Sequence, residues 1–144
     1  MLRLKIIIGT LLLGLITASF VGGPPCGSDE FLDGCAPELG DFTYIKTFDI
    51  SPKKMGDKVE VSYVFSKGST YRVVICDQDE KGNKMKVKLY DRNKKLIASN
   101  YLSSAKKYYQ VLDYKCSATG VYYIKANFSS SKEGCGNVIL GFAK

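Results

Sequence analysis

The 144-residue sequence contains no histidine and no tryptophan. Without histidine there is no Ser-His-Asp or Cys-His nucleophile pair and no imidazole-ligated metal. Ser-Lys or paired-carboxylate chemistry is formally left, but no motif announces either. The sequence therefore reads as that of a non-enzyme, with no cofactor. C-x-x-C spacing is also missing, which argues against a thiolate metal site. Helical periodicity is scarce as well: no helix of useful length is expected in residues 22–40 or anywhere downstream. No internal repeat is present.

What the chain has is aromatic and β-branched. Ten Tyr and seven Phe accompany many Val and Ile, which favours strands. A hydrophobic content of 45% with 24% charged residues is an ordinary globular balance. The length suits one domain with its own core.

Arg3 and Lys5 precede an apolar run from Ile6 to Val21, which Gly22-Gly23-Pro24-Pro25 ends. This is the layout of a secretory signal peptide, with small residues in Thr17-Ala18-Ser19 favouring cleavage after Ser19, and Ala18 as the alternative. The run is shorter than the roughly 20 residues that cross a bilayer comfortably. Pro25 directly before Cys26 argues against lipidation of that cysteine. The expected organisation is a leader over 1–19, an irregular Cys/Gly/Pro-rich lead-in over 20–41, and a β-domain over 42–144. The expected address is secreted, periplasmic or envelope-associated, with no transmembrane segment in the mature chain. Removing Arg3 and Lys5 leaves 19 basic against 14 acidic side chains, a net charge of +5.

Strands are predicted over Phe42–Ile50, Val59–Phe65, Thr70–Cys76, Met85–Leu89, Lys95–Ser99, Tyr108–Lys115, Val121–Phe128 and Val138–Phe142. The clearest alternation sets Met85, Val87 and Leu89 against Lys84, Lys86 and Lys88. Eight short strands separated by Gly, Pro, Asn and Ser turns predict an all-β fold, an antiparallel β-sandwich or jelly roll.

Three pieces of this pattern carry a resemblance: Val87-Lys88-Leu89-Tyr90-Asp91, Lys95-Leu96-Ile97-Ala98-Ser99-Asn100 and Ala118-Thr119-Gly120-Val121-Tyr122-Tyr123-Ile124. Together with Lys67-Gly68-Ser69-Thr70-Tyr71 they resemble the bacterial pre-peptidase C-terminal (PPC-like) domain, over roughly Val59 to Phe128. The resemblance implies a β-sandwich module of exported proteins, some of which bind extracellular polymers. It brings no catalytic residue, and no protease domain accompanies it here. Gly120 is expected to supply a conformation that other residues resist, and Tyr122 or Tyr123 to plug the core.

All five cysteines follow the leader, where an exported chain meets oxidising conditions. Counting strand reversals places Cys76 and Cys135 at one pole and Cys116 at the other. That count predicts Cys76–Cys135 and a bridge from Cys116 to Cys26 or Cys35. A local Cys26–Cys35 bridge competes with it.

Asp77-Gln78-Asp79-Glu80-Lys81-Gly82-Asn83 has oxygen ligands before a glycine, but Lys81 and the missing terminal Glu argue against calcium. A solvated loop is the better reading. The candidate binding face is basic and aromatic: Lys84, Lys86, Lys88, Arg92, Lys106, Lys107, Tyr90 and Tyr109, with Lys94, Lys95, Tyr101 and Tyr108 nearby. Lysines among aromatics suit a polyanion or carbohydrate, with nucleic acid disfavoured. The plainer account is that lysines guard a sheet edge and the tyrosines fill the core. Asn127-Phe128-Ser129 is a glycosylation sequon that matters only in a eukaryotic host. The functional expectation is a non-catalytic exported module, binding or accessory in the envelope or outside the cell, whose partner is an extracellular polymer or an envelope protein.

Overall fold

Period-two alternation along Val59–Phe65 and Met85–Tyr90 gives each strand one apolar face, and two sheets form to bury those faces together. The computed structural model describes residues 27–51, 59–77, 84–129 and 134–144. The expected leader, its cleavage site, Cys26 and residues 78–83 of the polar loop lie outside the described residues.

The described chain begins with α1 (Asp29–Cys35) and a 3-10 turn (Ala36–Leu39). Ten strands follow: β1 (Thr43–Ile50), β2 (Val59–Phe65), β3 (Thr70–Asp77), β4 (Met85–Tyr90), β5 (Leu96–Ser99), β6 (Tyr101–Leu102), β7 (Lys107–Tyr108), β8 (Val111–Lys115), β9 (Gly120–Phe128) and β10 (Gly136–Ala143). One four-stranded sheet has the order β1-β10-β3-β8, and the other β2-β9-β4-β5. Every neighbouring pair is antiparallel. This interleaved order is that of a jelly roll. The expected all-β sandwich is the fold observed.

Between the sheets, Phe65 stacks on Tyr71 at 3.8 Å and on Tyr122 at 4.7 Å between ring centroids. Val73, Val87, Leu89, Ile124, Val138 and Leu140 fill the rest of the core. Burying each of these side chains stabilises the fold by about 1.5–3 kcal/mol. Of the two tyrosines proposed to plug the core, Tyr122 does so and Tyr123 does not. Burial raises the Tyr122 hydroxyl well above its ordinary range, reinforced by its hydrogen bonds with Tyr114 and Cys116. That hydroxyl donates to Ala118 O at 2.7 Å.

Four expectations need correction. A helix does form in the lead-in: α1 has seven residues, and the Ser28 hydroxyl accepts from Phe31 N–H as its cap. It is too short to leave an apolar period, and tertiary packing holds it. Secondly, the strand expected over Tyr108–Lys115 is two strands, because the hairpin β6–β7 ends at Tyr108 and β8 starts at Val111. Thirdly, Gly120 is not in the left-handed region; a Cβ there would meet Arg92 Cδ at an ordinary 3.4 Å.

The fourth concerns the disulfides. Cys76 is bonded to Cys35, not to Cys135, with 5.9 Å between Cα atoms. Cys135 is in a disulfide of its own. Cys116 is a buried free thiol that donates to Ala118 O at 3.2 Å. Counting poles failed because the lead-in does not stay where β1 begins. It crosses the outer face of β3 and β10, from Cys35 beside Cys76 to Leu39 beside Gly141. Gly141 permits this approach, since a Cβ there would lie 2.6 Å from Leu39 Cδ1.

Candidate binding face

The two sheets present two outer faces, and among the described residues only one is covered. Over β3 and β10, Phe31, Cys35 and Leu39 pack on Val74, Cys76, Ile139 and Val111. Arg72 fastens the same lead-in. Its guanidinium donates to both carboxylate oxygens of Asp113 at 2.8 Å, reaches Glu38 O and Leu39 O, and lies 4.2 Å from the Phe42 ring centroid. The bond to Asp113 raises the guanidinium above its ordinary value.

On the outer face of β2-β9-β4-β5, register sets the neighbours. Glu60 pairs with Lys125 and Lys125 with Lys88; Ser62 pairs with Tyr123 and Tyr123 with Tyr90. Lys86 sits opposite Asn127. Three rings carry an ammonium each. Lys94 Nζ is 3.3 Å from the Tyr123 centroid, Lys125 Nζ 4.6 Å from Tyr90, and Lys86 Nζ 4.2 Å from Tyr101. Cation–π attraction of this kind contributes about 0.5–1 kcal/mol at exposed sites.

Lys94 reaches the face from the β4–β5 turn. There Asp91 accepts from Asn93 N–H and Lys95 N–H, and Lys94 itself has φ +62°. Its ammonium donates to Glu60 at 2.8 Å, and Lys125 lies 3.4 Å from the other oxygen of that carboxylate. The hydrogen bond from Lys94 holds the Glu60 carboxyl below its usual range. Four lysines thus face one carboxylate, and among the described residues Lys86 and Lys88 have no ion-pair partner.

Of the residues named from sequence, the structure groups Lys86, Lys88 and Tyr90, together with Lys94 and Tyr101. Arg92 lies at the far end, against Gly120. Lys84 and Tyr109 share a separate polar cavity of about 270 Å³ with Asp77, Asn100, Tyr108 and Gln110. Lys106 and Lys107 sit on the β6–β7 hairpin, Lys107 over the Tyr109 ring at 5.1 Å. Asn100 anchors that hairpin: buried, it accepts from Val87 N–H and donates to Met85 O and Tyr109 O.

Sequence reasoning missed Lys125, Tyr123 and Glu60. Their alternation was readable in β9 and β2, but nothing local announces that β9 lies beside β4. The edge-guard account also fails for Lys86 and Lys88, because β4 is a central strand of its sheet. Nor do Tyr90, Tyr101, Tyr108 and Tyr109 belong to the core.

At the same end of the face as Arg92, Val64 and Val121 are exposed and line a shallow groove with Ser62 and Tyr63. No group of three or more Asp, Glu or Cys able to hold a metal occurs among the described residues. Asp77, first in the loop considered for calcium, accepts from Met85 N–H at 2.8 Å. No helix among the described residues is long and apolar enough to cross a membrane.

No family model matches the sequence, and no curated protein matches it. Among solved structures, the fold is similar to the crystal structure of Aeromonas hydrophila PliG, a periplasmic lysozyme inhibitor of g-type lysozyme. The superposition has a TM-score of 0.50 at 11% identity, covering 72% of this chain and 89% of that one. At that identity the likeness is one of fold.

Proposed function

We propose that the protein is an exported, non-catalytic binding module that engages its partner through the outer face of β2-β9-β4-β5. The observation that carries this reading is the asymmetry between the outer faces. One has an apolar patch covered by α1 and the 3-10 turn; the other keeps four lysines on β4, β9 and the β4–β5 turn, with one carboxylate among them.

Export is supported by the leader layout of residues 1–25 and by the Cys35–Cys76 bridge, since disulfides persist in oxidising compartments. The fold neighbour, a periplasmic inhibitor, fits a module that acts by binding. The resemblance to the pre-peptidase C-terminal domain belongs to the same proposal, as it too describes an appendage without catalytic residues.

Photo-crosslinking in the exporting cell tests the reading. A photoreactive residue replaces Ser62 on the open face, or Asp33 on the exposed side of α1. Adducts are expected from position 62 and not from position 33. Adducts only from position 33, or from neither, would overturn it.

A further inference from the structure

If the open face is where the module binds, its chemistry names the occupant. We infer that this face binds an extended anionic glycan, a polysaccharide bearing carboxylate or sulfate groups, through ammonium ions mounted on tyrosine rings; this rests on the binding-module reading. The first support is charge complementarity: Lys86, Lys88, Lys94 and Lys125 against Glu60 leave an excess of three positive charges on the face. A second copy of this chain would bring the same excess against itself, so self-association through the face is disfavoured.

The rings decide between kinds of polyanion. Single-stranded nucleic acids gain much of their affinity by stacking bases on exposed aromatic faces. Here Tyr123, Tyr90 and Tyr101 each already carry an ammonium at 3.3–4.6 Å. The rings therefore serve as mounts that hold flexible lysines in place, which lowers the entropy lost when an anion is bound. Charges repeat along β4 at the two-residue spacing of Lys86 and Lys88, about 6.6–6.8 Å, and across to Lys125 at about 5 Å. Beside them stand neutral hydrogen-bonding groups, Asn127 opposite Lys86 and Ser62 opposite Tyr123. An acidic sugar chain offers both kinds of group together, anions for the lysines and hydroxyls for Ser62 and Asn127.

Calorimetry with the purified mature chain tests this, the probes being a heparin dodecasaccharide, neutral dextran, a single-stranded oligonucleotide of similar charge and polyglutamate. The dodecasaccharide is expected to bind most tightly, with affinity falling at least about tenfold between about 50 and 200 mM salt. Lys88→Gln with Lys125→Gln should weaken it about tenfold, two ion contacts being lost. Lys46→Gln with Lys115→Gln, the same charge change on the other sheet, should change it less than about twofold. Tyr90→Leu with Tyr123→Leu, which removes no charge, should weaken it about threefold, with a melting curve confirming the fold.

Equal binding of dextran, tighter binding of the oligonucleotide or polyglutamate, or equal effects of the two lysine pairs would overturn the inference. If the dodecasaccharide does not bind while position 62 still crosslinks, the occupant is wrong and the binding module stands. If position 62 is silent as well, both fall.

Discussion

The outer faces of the two sheets share strand geometry and differ in what the chain does with them. On β3 and β10 the apolar runs Val73-Val74-Ile75 and Val138-Ile139-Leu140 put hydrophobic side chains on both sides, so a second layer is required and α1 supplies it. On β4 and β9 apolar residues point inward, and Lys86, Lys88, Tyr123 and Lys125 point out. The first face is bound up with stability. The second can change without unfolding the protein, which is what a binding surface needs.

The largest effect should come from opening the covered face. Cys35→Ser with Cys76→Ser removes a bridge spanning 41 residues and should cost about 3–4 kcal/mol. That corresponds to a fall in Tm on the order of 10–20 °C by calorimetry. An unchanged Tm would mean that α1 does not depend on its tether.

Next comes a matched pair of truncations followed by urea unfolding. Ile139→Ala, beneath α1, should cost about 2–4 kcal/mol because a cavity opens under the helix. Val121→Ala on the open face should stay within about 0.5 kcal/mol. Similar costs at the two positions would erase the distinction between the faces.

The same contrast holds for charge. Arg72→Gln breaks a bidentate pair with Asp113 and contacts to two lead-in carbonyls, and about 1–2 kcal/mol should be lost. Lys125→Gln, an exposed partner of Glu60, should alter stability by less than about 0.5 kcal/mol.

Much of the fold was legible in the sequence. β2 has the bounds its alternation predicts, and β3, β4, β5 and β9 differ by one residue at an end, because one half-buried face writes a period of two. The helix was not legible, since seven residues are too few for a period. Its signal lay elsewhere, in the unbroken apolar runs of β3 and β10, which call for cover on both sides. The hairpin β6–β7 escaped because it hangs on one side chain, Asn100, and turns through Lys106 at φ +48°, where neither Gly nor Asn marks the turn. Half of the candidate face was readable on β4. The other half comes from β9 and β2, placed there by long-range pairing.

The smallest effect is one of pH. The lowered Glu60 carboxyl contributes a little stability that is present above the ordinary carboxylate value and is lost as pH falls through the lower folded value. Protonation at that lowered value releases Lys94 and Lys125, so the face becomes more positive and a sulfated glycan, which keeps its charge there, should bind more tightly. Glu60→Gln should reproduce that gain at neutral pH in the same calorimetric assay. Weaker binding by the variant would mean that Glu60 positions the lysines and does not merely oppose the ligand.

An NMR titration of the protein with the heparin dodecasaccharide tests the central claim most directly. The account predicts amide shift changes concentrated at Lys86, Lys88, Tyr90, Tyr123 and Lys125, with α1 and β10 silent. Changes centred on α1 and β10, or spread evenly over both faces, would contradict it.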